Sequence, residues 1–255
     1  MDSDYRRQWL SAASERFSTR VFNAEPIDEN DEAALLECEA LLRAMYGEVR
    51  IAYKSLIGQE ENPFDTFGGK IEGAAGIAAV FCKKDAEHER QKVGMAGERF
   101  VLECTARGLK TCWVCGSYNH ASALHLFEHN DSEELYAVIA IGESQAEPSE
   151  KHTEKVPFDE LFEIQPGVPD AEVIERAARF AASSAPSSMN RQPWRFEADE
   201  KGILLSLRQR SLIANKMQYI DLGIAAAHLE IYLKEHDIPG EWIFLEDENL
   251  CYAFT

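Results

Sequence analysis

Two arginines and a serine alternate along a short segment near the start of the chain. Arg16, Ser18 and Arg20 occupy every second position of the sequence ERFSTRVF. In an extended chain this alternation places all three side chains on one side, where two guanidinium groups and a hydroxyl can converge on one anion. The pattern predicts a phosphate-sized site. The alternative is a solvated, arginine-rich surface segment, and the spacing alone does not decide between them.

A polar loop is predicted about 165 residues further along, in the sequence APSSMNRQPWRF from Ala185 to Phe196. Pro186 fixes its own φ and disfavours a helical Ala185, so the helix predicted by AEVIERAARFAA should end there. Short polar side chains then offer donors and acceptors before WRFEAD resumes as a strand, namely Ser187, Ser188 and Asn190. Such a loop could hold a planar polar ligand.

The cysteines and histidines are interpreted as structural or solvated. Cys112 and Cys115 form a CxxC, but TCWVCG reads as a buried strand rather than the helix N-terminus that a redox pair needs. A zinc site would need a second pair, which the sequence lacks. His120, His125 and His129 could place two ligands on one helical face, yet no Glu or Cys completes a recognisable site. We therefore expect a solvated helix there.

Composition restricts the class of partner. The chain has 255 residues, 45% of them hydrophobic, and 26 Lys and Arg against 45 Asp and Glu give a formal net charge of −19. Such a charge repels the phosphate backbone of nucleic acid. Six cysteines without a secretion signal indicate reduced thiols, and no window has the apolar length of a signal peptide or a membrane span. A globular, cytoplasmic protein is expected, with no nucleic-acid or membrane partner.

Helices and strands are expected to alternate around these motifs. Helices are predicted at the N-terminus, from Asp28 to Met45, from Glu89 to Arg107 and up to Ala182, with a short one inside VPFDELFEI. Strands are predicted in RIAYKSLIG, IAAVFCKK, TCWVCG, LYAVIAIGES, WRFEADEKGILLSLRQ, WIFLED and CYAFT.

The second half repeats part of this order. The sequence QKVGMAGERFVLECTARGLKTCW compares with YIDLGIAAAHLEIYLKEHDIPGEW, each with small residues early, a helical apolar stripe, a break and a strand that opens on tryptophan. Gly94 and Gly97 would permit close approach of a neighbouring helix or a ligand. We predict a degenerate internal duplication, with half-units at residues 1–165 and 166–255.

Three separated motifs, ERFSTRVF, GLKTCWVCG and APSSMNRQPWRF, together resemble the FMN-dependent nitroreductase family. The resemblance implies an α+β fold with central, mainly antiparallel sheets flanked by helices. In that family the segment that corresponds to Arg16, Ser18 and Arg20 (the arginine segment) and the loop that corresponds to residues 186–194 (the serine loop) lie close in sequence, and a homodimer holds flavin at its interface. Here the first half lacks the loop and the second lacks the arginines. This resembles the tandem branch, in which one monomeric chain mimics a dimer (a pseudo-dimer) and keeps one site.

The resemblance also implies roles for particular residues. Arg16, Ser18 and Arg20 would hold the FMN phosphate and nearby ribityl oxygens, and Lys151 and Lys155 would close that site. From the other half, four loop residues would line the isoalloxazine and its ribityl arm: Pro186, Ser187, Ser188 and Asn190. Cys115 and Gly116 would place backbone beside the flavin N5, although Glu-Gly or Gly-Gly is commoner there.

The implied activity is that of a flavin oxidoreductase. Hydride would pass from NAD(P)H through flavin N5 to a small acceptor such as a nitroaromatic or a quinone, in a ping-pong mechanism without a catalytic side chain. Phe64, Phe67, Trp113 and Tyr118 are candidates for the pocket wall or for ordinary core. Two alternatives stay open at this point: a flavin storage or sensor protein with little turnover, and a scaffold whose site has decayed.

Overall fold

Two sheets, one in each half of the chain, lie against a pair of central helices in the computed structural model. The structure describes residues 3–64, 71–147, 155–208 and 215–255. The first half contains helices α1 to α4 and strands β1 to β4, with the bounds α1 Ser3–Glu15, α2 Glu29–Tyr46, β1 Val49–Ser55, β2 Gly76–Lys83, α3 Glu89–Ala106, β3 Lys110–Val114, α4 His120–Leu126 and β4 Glu133–Gly142. Its sheet has the order β1-β2-β4-β3 and is antiparallel throughout.

The second half repeats this strand order. Its elements are α5 Ala171–Ser184, β6 Trp194–Asp199, β7 Gly202–Leu207, α6 Asn215–Glu235, β8 Gly240–Phe244 and β9 Leu250–Phe254, and β5 Phe162–Ile164 joins its sheet from just before the predicted boundary. The sheet has the order β5-β6-β7-β9-β8, so its last four strands reproduce the order of the first sheet. In each half a long helix follows the second of these strands in the sequence: α3 follows β2, and α6 follows β7. β5 is the addition, and it pairs with β6 in parallel. The predicted α+β fold with mainly antiparallel sheets is confirmed.

Local signals set several boundaries. The Asp28 carboxylate accepts a hydrogen bond from the Asn30 amide at 2.9 Å, which caps α2 as the sequence predicts. α5 ends at Ser184, and its C-cap residue Ala185, immediately before Pro186, has an extended ψ of 132°. β2 is buried on both faces because one core cluster takes Ala78 and Val80 while the other takes Ile77 and Ala79.

The central helices cross where each carries a glycine. A Cβ built on Gly94 would lie 2.1 Å from the carbonyl oxygen of Ile220, and one built on Gly223 would lie 2.1 Å from that of Gln91. The offset along the sequence that takes Gly94 to Gly223 also takes Gln91 to Ile220. The two contacts are therefore equivalent, as in an interface between two like subunits.

One predicted element is wrong in part. VPFDELFEI forms only a single 3₁₀ turn, Phe158–Glu160, and then enters β5. The strand forms because β6 supplies the pairing partner, with Phe162 opposite Phe196. No helix among the described residues has the length and apolar content that crossing a membrane needs.

Candidate active site

The arginine segment lies beside β3 in extended conformation. Ser18 forms a parallel bridge with Thr111, and the Thr19 amide donates to the Thr111 carbonyl at 2.9 Å. Thr19 is 2% exposed, so Ser18 and Arg20, on either side of it in this extended stretch, face the opposite way, and Arg20 is exposed. Burial raises the pKa of the Cys112 thiol on β3, and the positive charges of Arg20 and Arg16 offset part of the increase. Both arginines therefore lie near the middle of β3.

Arg16 is a buried cation whose charge is incompletely balanced. Its Nε lies 3.8 Å from Oε1 of Glu98, and it has no hydrogen-bond partner within the described part of the chain. Burial lowers the pKa of Arg16, and the attraction of Glu98 recovers only part of that loss. Arg16 thus favours the arrival of a further anion.

Glu98 is the centre of a buried network that joins the two halves. Its Oε2 accepts from the indole Nε1 of Trp113 at 2.8 Å, and its Oε1 lies 2.8 Å from Nε2 of His228 on α6. Nδ1 of His228 in turn lies 2.7 Å from the Ser184 hydroxyl, in the last turn of α5. Glu98 and His228 are both fully buried. Desolvation lowers the pKa of His228 despite the hydrogen bond to Glu98, and the charges of Arg16 and Lys155 lower it further.

A second cation reaches the same place from the connection between the halves. Desolvation and the positive charge of Arg16 both lower the pKa of Lys155. The next residue, Val156, donates its amide to Oε1 of Gln192 at 3.1 Å, which fixes this stretch against the serine loop. Two cations that repel each other in one place are typical of an anion site. Lys151 lies outside the described residues.

The serine loop is held to α6 by a buried carboxylate. The Ser188 amide donates to Oδ1 of Asp221 at 2.9 Å, and the Gln192 amide donates to the Ser187 hydroxyl at 2.9 Å. Met189, Asn190 and Gln192 adopt positive φ values of 54°, 53° and 48°. Such left-handed residues cost free energy and cluster where a loop must hold a particular shape. Pro186, Ser187, Ser188 and Asn190 are all partly buried.

The end of β3 comes close to this loop from the other half. Burial raises the pKa of the Cys115 thiol to about 12, and the charge of Asp221 contributes to the increase. Gly116 is exposed, and a Cβ there would lie 3.0 Å from the terminal methyl of Met217 on α6. Burial also raises the pKa of Asp221 to about 7, against the lowering effects of the Ser188 amide and Arg191. Asp221 thus holds the serine loop through Ser188, and its charge acts on the Cys115 thiol.

The other residues singled out in the sequence fall mainly into the core. Phe64 is 1% exposed and Tyr118 packs against the same cluster, while Trp113 packs over Gly97. Phe67 lies outside the described residues. His125 and His129 do not share a helical face, because α4 ends at Leu126 and His129 turns to the Phe127 carbonyl at 3.1 Å.

Three residues of the site were not predicted: Glu98, His228 and Asp221. All three are polar residues inside otherwise apolar helical stretches, and each is at most 4% exposed. A polar residue on the buried side of a helix was the available signal, because such a group must find a partner.

The strand order and the junction of two halves at the site define a protein of the nitroreductase fold class. Comparison with family models matches residues 9–232 to the family described as "Putative TM nitroreductase". The chain therefore belongs to this nitroreductase family. No curated protein matches it.

Solved structures share the fold. A nitroreductase-type protein of Thermotoga maritima MSB8 aligns with a TM-score of 0.64 at 19% identity, over 96% of this chain and 92% of that one. A nitroreductase-type protein of Bacillus subtilis aligns with a TM-score of 0.50 at 14% identity, over 62% of this chain and 98% of that one. A third, from Desulfovibrio desulfuricans, was solved in complex with FMN and aligns with a TM-score of 0.47 at 22% identity, over 60% of this chain and 93% of that one.

Proposed function

We propose that this protein is an FMN-dependent oxidoreductase that uses NAD(P)H to reduce a small acceptor, such as a nitroaromatic or a quinone. The observation that carries the proposal is the Arg16 side chain: its buried Nε has no hydrogen-bond partner in the described chain and lies 3.8 Å from Glu98, where the two halves meet. The proposal rests as well on membership of the nitroreductase family.

The cation side of the site fits a phosphate group. Arg16 offers a buried guanidinium without a hydrogen-bond partner for Nε in the described chain, and Arg20 adds an exposed one nearby. A dianionic phosphate would relieve both the burial of Arg16 and its repulsion with Lys155. Ser18, on the same side of the extended segment, would add a hydroxyl donor.

The loop side fits a planar ring system. Pro186, Ser187, Ser188 and Asn190 would line it from the second half, and the backbone of Cys115 and Gly116 would line it from the first. Asp221 holds Ser188 by its amide, so the loop is fixed before a ligand arrives. When bound, FMN would supply two-electron chemistry, accepting hydride from NAD(P)H at N5 and passing it on in a second half-reaction. The chain itself would bind and orient FMN and the substrates and would exclude water from them. No side chain would act as a catalyst.

The same observations support one site per chain in an internal pseudo-dimer. The two sheets share one strand order, and the contacts of Gly94 and Gly223 exchange under a single sequence offset. We assign the half-units to residues 1–165 and 166–255, with β5 reaching from the first half to the second sheet. The arginine segment occurs in one half and the serine loop in the other. A monomer of 28.7 kDa with at most one flavin is therefore expected.

Titration of the flavin-free protein with FMN tests the assignment. Arg16→Ala and Arg20→Ala should each weaken binding by roughly 1.5–3 kcal/mol, the scale of a hydrogen bond to a charged group. The matched control is Arg176→Ala, which removes the same charge from a solvated position on α5. Equal affinities of all three variants would refute the phosphate site.

Reduction separates an enzyme from a flavin-binding protein without turnover. NADH or NADPH added to the flavin-loaded protein without oxygen should bleach the flavin absorbance within minutes, and a nitroaromatic or quinone should restore it. Persistent colour with an intact flavin complex would favour a storage or sensor role instead.

A further inference from the structure

A second cleft lies at the C-terminal end of α2, away from the serine loop in sequence and built from other residues. It encloses about 410 Å³, within the usual range for small-molecule sites. Its walls come from the end of α2, from both central helices and from β8; the apolar ones are Met45, Tyr46, Met95, Trp242 and Phe244.

The cleft is the internal counterpart of the candidate active site. The offset that takes Gly94 to Gly223 takes Trp113 to Trp242 and Cys115 to Phe244, and its reverse takes Asp221 to Lys92. Trp242, Phe244 and Lys92 all line the cleft. Tyr46 ends α2 here as Ser184 ends α5 in the first site. The cleft thus uses positions that correspond to those of the candidate active site, with different residue types in its walls.

The charges around this cleft are balanced within the protein. Lys92 Nζ lies 2.6 Å from a Glu48 carboxylate oxygen. Glu230 pairs with Arg99 and Lys234, and it accepts from the indole of Trp242 at 3.2 Å. Although burial opposes ionisation, Arg99 and Lys234 lower the pKa of Glu230, which therefore stays a carboxylate. Among the described residues, every cation that lines the cleft already pairs with a carboxylate, so the cleft has no unpaired positive charge for an anionic ligand.

Aromatic rings and methionine side chains form the apolar part of the cleft wall. Trp242 and Phe244 are partly buried on one face of β8, and Lys92 Nζ lies 5.6 Å from the centre of the Phe244 ring. Met45 is 41% exposed at the mouth and Met95 is 2% exposed at the base. Aromatic rings favour stacking on a planar apolar ligand, and methionine side chains adapt to its outline.

We propose that this cleft is a second binding site, which takes an uncharged aromatic compound of one or two rings. The inference does not depend on FMN binding at the first site, because it uses none of the residues assigned to phosphate or flavin.

Calorimetric titration with 2-naphthol at pH 7 tests the proposal, both without FMN and with excess FMN, so that the result does not depend on whether the first site takes FMN. Saturable binding at one site is expected. Phe244→Ala removes a ring from the wall, and Met45→Trp fills the mouth from a position that tolerates bulk; each should raise Kd by roughly tenfold. Ile243→Ala is the matched control, since Ile243 is adjacent on β8 but 50% exposed and does not line the cleft.

A second titration uses the anion 2-naphthoate, which has the same rings as 2-naphthol but brings a carboxylate toward Glu48 and Glu230. We expect it to bind at least about tenfold more weakly than 2-naphthol. The proposal is overturned by absence of saturable 2-naphthol binding, by equal Kd values for the Phe244, Met45 and Ile243 variants, or by equal affinity for 2-naphthoate. Thermal unfolding identifies a variant that has failed to fold, in which case the other cleft variant decides.

Discussion

On one side of the crossed helices α3 and α6, the indole of Trp113 donates to Glu98, which meets His228 of α6. On another side, the indole of Trp242 donates to Glu230, which meets Arg99 of α3. The sequence offset that takes Gly94 to Gly223 also takes Arg99 to His228. Each side therefore has a tryptophan, a buried glutamate and a basic residue from the other helix.

The difference between the two sides lies in how buried positive charge is balanced. Despite desolvation, Tyr46 and Glu230 raise the pKa of Arg99, whereas desolvation lowers the pKa of Arg16 because Glu98 compensates it only in part. A cation without its full counter-charge reduces the stability of the free protein and strengthens the binding of an anion. One scaffold thus balances a buried arginine through a short ion pair at Arg99 and leaves Arg16, in the arginine segment, without its full counter-charge.

Substitution of the crossing glycines should have the largest effect. Gly94→Ala and Gly223→Ala each place a methyl group 2.1 Å from a backbone oxygen that no side-chain rotation can move. Each should lower the free energy of unfolding by about 3 kcal/mol or more, as strong overpacking does. Urea denaturation measures this, and Ala44→Gly at an exposed position of α2 is the control of equal size. Strongly unequal losses would contradict the equivalence of the two contacts.

Asp221 should have a smaller effect on the free energy of unfolding, and one that depends on pH. With a pKa of about 7 in the folded chain against an ordinary value near 4, the folded state holds a proton that the unfolded state has lost. The free energy of unfolding therefore falls as pH rises through this window, and the loss is complete above pH 7. Asp221→Asn should remove this fall. The free energy of unfolding of the variant minus that of the wild type should therefore increase by roughly 2–4 kcal/mol between pH 4 and pH 8.

Urea denaturation of both proteins across that pH range measures the difference. The exposed acid Asp131, replaced by asparagine, is the control. Parallel stability curves for the wild type and Asp221→Asn would show that the carboxyl group titrates normally.

Elements that depend on neighbours in sequence could be predicted. The Asp28 cap, the continuous apolar run of β2 and the helix stop before Pro186 each have a local cause. β5 was missed because three residues carry too little pattern, and it exists only through pairing with β6.

The candidate site divides in the same way. Its arginines and serines stand out in the sequence by type and spacing. By contrast, Glu98 contacts His228, which is 130 residues away in the sequence. Ser188 donates to Asp221, although strands β6 and β7 lie between these two residues in the sequence. Such pairings follow from how the halves dock, which local patterns do not contain.

Lys155 should give the smallest effect but the most discriminating test. If Lys155 belongs to an anion site, its removal should stabilise the folded protein and weaken the binding of FMN. Lys155→Met keeps the aliphatic stem but removes a charge that Arg16 repels. The free protein should gain a few tenths of a kcal/mol in stability, since water screens much of the repulsion at this exposed residue. FMN binding should weaken by about 1 kcal/mol, since one phosphate contact is lost. Chemical denaturation and FMN titration measure the two quantities, with Lys201→Met in the β6–β7 turn as the control. If binding and stability changed in the same direction, Lys155 would act as a structural residue rather than as part of a site that holds its charge for an anion.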